Sequence, residues 1–210
     1  MKSIDWYFDF ISPFSYLQLE SFHRLPEDIE VQFKPVLLAG LLEHWGTKGP
    51  VEIPPKRRFT YRHIQWLARH HGIPFRMPPA HPFNPLKALR LAIALGNRPV
   101  AVEEIFRFIW RDGQSIDDTT AWAGLIDRFD PEDFDADVND TEVKLALRHH
   151  TEQAAKLGVF GVPTFIVDKE LFWGFDATDM LLDYLKNPSL FQDPEMVRIS
   201  NLPEGVQRKV

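Results

Sequence analysis

A serine-proline pair, Ser12-Pro13, stands between two segments of different pattern. Residues 4–10 are aromatic and apolar, which predicts a strand, and after Pro13 the apolar residues recur at helical spacing. Ser12 is then the N-cap of the helix, beside unpaired N–H groups and the positive end of the helix dipole. Such a hydroxyl can donate a hydrogen bond to an anion, for example a ligand thiolate, or can act as a cap alone. No histidine is near in sequence, so a nucleophilic serine is not predicted.

The second candidate is the pair Val162-Pro163, which directly precedes a predicted strand over Thr164 to Val167. If the peptide bond between the two residues is cis, the N–H and C=O of Val162 face outward and can pair with a peptide-like ligand. The alternative is a trans proline that begins an edge strand. The sequence leaves both alternatives open.

The third candidate is Asp176, which follows a predicted strand over Leu171 to Trp173. We expect Asp176 to be the N-cap of the next helix, with Asp179 three residues later in a capping box. The same carboxylate could accept hydrogen bonds from a ligand ammonium group. Both interpretations place Asp176 at the start of a helix.

A basic amphipathic helix is predicted over residues 56–71. Its cations either bind an anionic substrate or form a solvated face; they include Lys56, Arg57, Arg58 and Arg62. His63 and His70 share a face of this helix, but no His-Glu-x-x-His pattern occurs in the chain. We therefore predict no metal site.

The composition excludes several functions. The chain has 210 residues, with 24 Lys and Arg against 30 Asp and Glu, and it has no cysteine. Any sulfur chemistry must therefore come from a ligand, because disulfides and a protein thiol nucleophile are impossible. The formal charge of −6 disfavours a nucleic-acid partner. No apolar run reaches the roughly 18 residues that span a membrane, and no secretion signal is evident, so we expect no membrane partner and a cytoplasmic location.

The predicted elements follow the order β-α-β, then helices, then β-β-α, with the second strand over Ile29 to Leu38. The two ends can form one four-stranded sheet with flanking helices, which is an α/β, thioredoxin-like fold with an inserted all-helical domain. We expect residues 1–38 and 158–210 to form the discontinuous thioredoxin-like domain and residues 39–157 to form the insert. The proline-containing tail from about residue 187 is expected to be irregular.

Three motifs occur in order along the chain: Asp-Phe-Ile-Ser-Pro-Phe-Ser-Tyr at 9–16, Gly-Val-Pro-Thr-Phe at 161–165 and Phe-Trp-Gly-x-Asp at 172–176. Together they resemble the 2-hydroxychromene-2-carboxylate isomerases, which belong with the kappa-class glutathione transferases and the disulfide-oxidoreductase A type of thioredoxin fold. Segments 54–58 and 81–90 resemble that family's inserted domain, and the resemblance runs from about residue 4 to 185. Redox members of the superfamily carry Cys-x-x-Cys where this chain has two serines, so disulfide exchange is not expected.

The resemblance implies roles for the matching residues. Ser12 would hydrogen-bond the sulfur of glutathione and favour its thiolate, and Val162, before a cis Pro163, would pair with the cysteinyl part. The γ-glutamyl end would be held by Trp173, Gly174, Phe175 and Asp176. The glycyl carboxylate of glutathione or the substrate would be bound by Lys56, Arg57 and Asn84. The chain departs from the family pattern at Thr47, Phe175 and Ala177.

The implied activity is the glutathione-dependent conversion of 2-hydroxychromene-2-carboxylate to trans-o-hydroxybenzylidenepyruvate, in the breakdown of aromatic hydrocarbons. Reversible addition of the thiolate would turn a carbon–carbon double bond into a single bond that can rotate. Glutathione and a small anionic aromatic substrate are the implied partners, and the family suggests a homodimer. Two alternatives remain open: a kappa-class-like glutathione transferase or peroxidase, and a cysteine-free thioredoxin-fold protein that binds peptides at the Val162-Pro163 edge.

Overall fold

A four-stranded mixed sheet forms the centre of the molecule in the computed structural model, which describes residues 1–129 and 138–206. Its strands are β1 Lys2–Phe8, β2 Ile29–Pro35, β3 Thr164–Val167 and β4 Glu170–Trp173. They lie in the order β2-β1-β3-β4. β1 is parallel to β2 and antiparallel to β3, and β3 is antiparallel to β4.

Nine α-helices lie within the described residues. They are α1 Pro13–Leu19, α2 Leu38–His44, α3 Pro54–His70, α4 Leu86–Ala94, α5 Pro99–Phe106, α6 Thr119–Ile126, α7 Thr141–Lys156, α8 Thr178–Lys186 and α9 Pro194–Ser200. α5 continues into a π-helical turn, Arg107–Arg111.

Aromatic side chains of β1 anchor the core. Trp6 and Phe8 are fully buried, stack with their ring centroids 4.7 Å apart, and lie beside Phe165, the register partner of Trp6 on β3. Phe106 of α5 packs against Phe8 and Phe10 at 5.6 and 4.5 Å. Burial of each such ring contributes roughly 1.5–3 kcal/mol. The sheet and the helices between its two halves therefore share one continuous buried cluster.

The order of elements agrees with the sequence prediction. All four strands lie within residues 1–38 and 158–210, and the described part of 39–157 contains helices and turns without a strand. The division into a thioredoxin-like domain and an inserted domain stays a prediction, since the buried cluster crosses from one to the other.

The second strand is shorter than predicted, because the chain turns into α2 after Pro35. The N–H of Leu37 donates to Thr151 Oγ1 at 3.0 Å, and the N–H of Leu38 donates to Asp9 Oδ2 at 2.8 Å. These acceptors satisfy N–H groups that have no partner within the helix. Both come from distant parts of the chain, and local sequence pattern does not indicate them.

The prediction of an irregular tail is wrong. Residues Pro188–Gln192 form a 3₁₀ turn, which α9 follows. Asp193 caps α9 by accepting from the Glu195 N–H at 2.9 Å. The ring of Phe191 stacks on Phe172 of β4 with centroids 5.7 Å apart, so an apolar contact ties the tail to the sheet.

Gln18 joins three elements through a buried side-chain amide. Its Oε1 accepts from Trp6 Nε1 of β1 at 2.8 Å. Its Nε2 donates to the Gly174 carbonyl at 3.0 Å and to Thr178 Oγ1 at 3.1 Å. The amide therefore fixes the end of β4 and the start of α8 against α1, and every partner in this network is satisfied.

Gln18→Leu should lower the free energy of unfolding by about 1–3 kcal/mol, because it leaves the Trp6 indole N–H buried without a partner. The Gly174 carbonyl still accepts from the Ala177 N–H at 3.3 Å. Gln65→Leu on α3 is the matched control, since the Gln65 side chain makes no hydrogen bond to any described residue. We expect the control to change stability by less than about 0.5 kcal/mol. Urea denaturation measures both, and equal effects would contradict the role of Gln18.

Candidate functional site

The turn between β1 and α1 opens onto a cavity of about 390 Å³. Its walls come from this turn, from α2 and α3, and from residues 160–162 ahead of β3. The volume suits a small organic ligand or a short peptide. Most of the lining is apolar, and its polar members include Ser12, Thr47, Lys48, Lys56, Thr60 and His81.

Ser12 is the N-cap of α1, as the sequence predicts, and Pro13 is the first helical residue. The Ser12 hydroxyl accepts from the Ser15 N–H at 3.3 Å and donates to the Val162 carbonyl at 3.5 Å. At 3.5 Å the donated bond is longer than an ordinary O–H···O hydrogen bond of about 2.5–3.0 Å, so the hydroxyl proton is weakly held. Ser12 can therefore turn its O–H toward a ligand atom in the cavity.

The Val162–Pro163 peptide bond is cis, which is one of the two forms that the sequence allows. Val162 lines the cavity beside Ser12. The carbonyl of Pro163 accepts from the Gly174 N–H at 2.8 Å, which holds this segment at the end of β4. Among the described residues, the Val162 N–H has no hydrogen-bond partner. It is a main-chain donor available to a peptide-like ligand.

Two lysines make the cavity positively charged. Lys48 and Lys56 both line it, and no Asp or Glu of the described residues does so. An anionic ligand is therefore favoured. Lys48 was missed by sequence reasoning, because the loop after α2 brings it to the cavity and no spacing pattern indicates that path. Thr47, one of the departures from the family pattern, also lines the cavity.

His81 supports the turn that carries Ser12. Its Nε2 lies 2.9 Å from the Ile11 carbonyl oxygen and its Nδ1 lies 2.9 Å from the Tyr61 hydroxyl. Because a carbonyl only accepts, Nε2 carries the proton, and the Tyr61 O–H points to Nδ1 and to the His81 carbonyl at 2.8 Å. Burial lowers the pKa of His81 and favours this neutral form. His81 lies in the segment 81–90 that resembles the family's inserted domain, but the sequence indicated no role for it.

Trp173 and Phe160 form an aromatic rim at the cavity mouth. Trp173 is 52% exposed and Phe160 is 44% exposed, and their rings meet edge-on with centroids 5.0 Å apart. The indole passes close over Gly161, where an added Cβ would lie 2.6 Å from Trp173 Nε1. Exposed aromatic rings at a cavity mouth offer a stacking surface to a planar ligand.

Phe175 and Asp176 line a neighbouring cavity of about 330 Å³ instead. Phe14 lines both cavities and so lies between them. Gly174 precedes this pair with φ of +95°, a conformation that favours glycine, and an added Cβ would meet the Asp176 carboxylate. Of the predicted γ-glutamyl residues, Trp173 therefore lines the main cavity, whereas Phe175 and Asp176 line the neighbouring one.

The prediction that Asp176 caps the following helix is wrong. Residues 175–177 form a 3₁₀ turn, and α8 begins at Thr178. The buried Thr178 hydroxyl donates to the Phe175 carbonyl at 2.6 Å and so stabilises the 3₁₀ turn. The α-helix therefore begins only at Thr178. Asp179 pairs with Arg24 and does not complete a capping box.

Arg57 and Asn84 line neither cavity. Arg57 is exposed on α3, and the exposed Asn84 accepts from the Leu86 N–H at 3.1 Å at the start of α4. The structure brings together four of the predicted site residues in the main cavity, which are Ser12, Lys56, Val162 and Trp173.

Asp9 is buried beneath the Ser12 turn. Its Oδ1 accepts from the Ile11 N–H at 3.1 Å and its Oδ2 accepts from the Leu38 N–H at 2.8 Å. Its main-chain carbonyl accepts from the Ser12 N–H at 3.0 Å. Burial raises the pKa of Asp9 to about 7, although its backbone hydrogen bonds act in the opposite direction. The only sequence signal for this group is a carboxylate within an apolar segment.

The histidines of α3 face aromatic rings. His63 and His70 stack on either side of Trp66, with centroids 6.2 and 4.9 Å from it. In residues 1–129 and 138–206, no three His, Asp or Glu side chains are grouped as metal ligands. No helix within those ranges is both long enough and apolar enough to cross a bilayer.

Residues 3–186 match the model of the DSBA-like thioredoxin domain family. The chain belongs to this family. The match confirms the α/β, thioredoxin-like fold expected from the order of elements, and it agrees with the resemblance carried by the three motifs.

Similar proteins include two kinds of enzyme from this family. Glutathione s-transferase kappa 2 of Caenorhabditis elegans is 28% identical over 209 residues, which covers 89% of this chain and 93% of that protein. A 2-hydroxychromene-2-carboxylate isomerase of Sphingobium xenophagum is 28% identical over 194 residues, which covers 88% and 98%. The solved structure of a 2-hydroxychromene-2-carboxylate isomerase has a TM-score of 0.75 at 23% identity, over 92% of this chain and 98% of that one. The relatives are thus named as isomerases and as glutathione transferases.

Asp9→Asn tests the buried carboxyl. The folded state raises its pKa from the ordinary 3.8 to about 7, so above pH 4 it keeps a proton that the unfolded chain releases. This stabilising contribution is complete below about pH 4 and is lost as the pH rises through 7. The asparagine variant does not titrate there.

The stability advantage of the wild type over Asp9→Asn should therefore shrink by a few kcal/mol between about pH 4 and pH 8. Urea denaturation of both proteins across this range measures the difference. A difference that stays constant with pH would show that Asp9 has an ordinary pKa in the folded state.

Proposed function

We propose that this protein is a glutathione-dependent isomerase that converts 2-hydroxychromene-2-carboxylate to trans-o-hydroxybenzylidenepyruvate. The observation that carries the proposal is the Ser12 hydroxyl beside the unpartnered Val162 N–H in one cavity, in a chain without cysteine. Such a site can hold a peptide thiol but supplies no sulfur of its own.

Glutathione fits this set of donors. The main chain of its cysteinyl residue can pair with the Val162 N–H as a short β-bridge, which directs the sulfur toward Ser12. The weakly held Ser12 O–H then donates to the sulfur at the positive end of α1, and both effects favour the thiolate. An ordinary thiol has a pKa of about 8.5, and a shift of one unit corresponds to about 1.4 kcal/mol. One charge-assisted hydrogen bond supplies that amount.

We assign the γ-glutamyl end to the second cavity and its approach, formed by Trp173, Gly174, Phe175 and Asp176. An extended tripeptide reaches about 10 Å, and the two cavities have Phe14 in common. The Asp176 carboxylate can accept from the γ-glutamyl ammonium group. Phe175 forms the wall of this cavity and packs edge-on against His71, with ring centroids 5.0 Å apart.

The rest of the main cavity suits an anionic aromatic substrate. Lys48 and Lys56 attract a carboxylate, and Phe160 and Trp173 offer aromatic faces at the mouth. Arg57, exposed next to Lys56, adds to the positive field outside the cavity. Asn84 lines neither cavity, and we assign it no contact with the substrate.

The chromene ring opens first: the bond between C2 and the ring oxygen breaks, the 2-hydroxyl becomes the ketone of a conjugated pyruvate, and its proton passes to the phenol oxygen. Bound glutathione would supply a thiolate that adds reversibly to the double bond of this pyruvate, which permits rotation before the thiolate leaves. Ser12 donates its O–H and keeps its proton throughout. Lys48 and Lys56 stabilise the negative charge that develops on the substrate's carbonyl oxygen. His81 holds the Ile11 carbonyl and so keeps the Ser12 turn in position.

A kappa-class-like glutathione transferase or peroxidase is the second candidate. It is favoured by the Caenorhabditis elegans relative, whose 28% identity equals that of the isomerase from Sphingobium xenophagum. Both candidates use the same thiol site and differ in whether glutathione is consumed. Measurement of the free thiol after substrate turnover separates them: a catalytic amount of glutathione suffices for an isomerase, and one thiol is lost per turnover for a transferase.

We also propose that the protein is located in the cytoplasm, where glutathione is kept reduced. We propose that its reaction belongs to the breakdown of aromatic hydrocarbons. The proposal also includes the homodimer that the family resemblance implies. Sedimentation equilibrium tests the dimer directly.

Ser12→Ala should raise the pKa of the bound glutathione thiol by about one unit, which lowers the thiolate fraction near neutral pH by about tenfold. Isomerisation at saturating glutathione should fall by a similar factor, and its pH profile should move to higher pH. The pH dependence of kcat/KM for the chromene substrate measures both effects.

Ser15→Ala is the matched control for Ser12→Ala. Ser15 lies on the same helix, and its buried Oγ has no hydrogen-bond partner within the described residues. We expect it to leave the pH profile unchanged. Identical profiles for wild type and Ser12→Ala would remove the thiolate role of Ser12.

Lys56→Met should raise the KM for an anionic substrate by about two- to fivefold at low salt, because an exposed ion pair contributes about 0.5–1 kcal/mol. The effect should fade as salt increases. Arg58→Met removes a charge from the same helix outside the cavity and should leave KM unchanged. Equal effects of the two variants would show that only the general positive field of α3 matters.

A further inference from the structure

A second group of charged residues surrounds a cavity of about 340 Å³ between α2, α4 and α7. Its lining shares no residue with the candidate site, although α2 forms a wall of both cavities. The charged or ionisable lining residues are Glu43, His44, Arg90, Lys144, Arg148 and Glu152. The apolar lining residues include Leu37, Leu86, Leu147 and Ala155.

Arg90 is the lining residue whose buried side-chain nitrogen lacks a hydrogen-bond acceptor. Its Nε is buried without a hydrogen-bond partner, and no hydrogen bond or ion pair joins the Arg90 side chain to any described residue. A buried polar donor left unsatisfied costs about 1–3 kcal/mol, and more when it is charged. Arg90 ends the segment 81–90 that sequence analysis singled out, and the candidate site does not use it.

The carboxylates of this cavity do not neutralise its cations. Glu152 is paired with Arg148 at 2.8 Å. That pair leaves the single negative charge of Glu43 against the two positive charges of Arg90 and Lys144. The cavity therefore has a positive surplus beside its leucine walls.

We propose that this cavity binds an organic carboxylate with an apolar body. The planar guanidinium of Arg90 matches a carboxylate through two parallel hydrogen bonds, which satisfies its buried Nε. Lys144 supplies a second positive charge from α7, and the leucine side chains contact the body of the ligand. The site is separate from the proposed thiol site and does not depend on its activity.

Benzoate is the probe, and benzamide is its uncharged counterpart of nearly the same shape. Isothermal titration without glutathione should show benzoate binding, with benzamide at least about tenfold weaker. Arg90→Met should weaken benzoate binding by about tenfold, and Lys144→Met, at an exposed position, by about two- to fivefold. Lys156→Met removes a lysine from the same helix outside the cavity and should have no effect.

No binding of benzoate, or equal affinity for benzoate and benzamide, would overturn the proposal. So would unchanged benzoate affinity in the Lys144→Met variant, which alters an exposed helix position and keeps the test valid if Arg90→Met does not fold. Loss of binding in Lys56→Met would place benzoate in the candidate site and would also overturn it. Because glutathione is absent, failure here leaves the proposed isomerase activity untouched.

Discussion

The candidate site depends on one buried carboxyl group. Asp9, just after the end of β1, accepts from the Ile11 N–H within the turn and from the Leu38 N–H at the start of α2, and its carbonyl accepts from the Ser12 N–H. Without this group, buried N–H donors of two elements would lack acceptors. The turn that carries Ser12 and the helix that forms the opposite wall of the cavity are thus fixed to each other by a single side chain.

The chemistry follows from what this framework brings together. Ser12 offers a weakly held hydroxyl, Val162 offers an unpartnered N–H, and the charged groups that line the cavity in the described chain are both lysines. In the proposed function a peptide thiol pairs with these donors, and because the chain has no cysteine the thiol would come from the ligand. His81, which contacts the Tyr61 hydroxyl, also holds this turn through the Ile11 carbonyl.

Local patterns predicted the parts of this arrangement that local physics determines. The serine-proline pair indicated an N-cap, the alternation of residues indicated the strands, and the order β-α-β then β-β-α indicated the sheet. Three motifs at the two ends of the chain gave the family, which the match over residues 3–186 bears out.

The features of the site that the sequence did not predict depend on contacts between residues far apart in the chain. Local sequence patterns carry no information about such contacts. α2 begins where it does because of Asp9 and Thr151, and His81 reaches the Ile11 carbonyl across 70 positions. Asp176 looked like a helix cap from its spacing, but the buried Thr178 sets the start of α8 two residues later. Lys48 lines the cavity because the loop after α2 brings it there, and the sequence of that loop does not indicate this path.

Calorimetric titration with glutathione, beside the same tripeptide with alanine in place of cysteine, tests the central claim most directly. We expect glutathione to bind at least about tenfold more tightly than the analogue at pH 8 and to release protons on binding, because the proposed site holds the thiolate. Equal binding of the two peptides would contradict the thiolate role and would favour a peptide-binding protein. No binding of either would contradict the assignment of the cavity to glutathione.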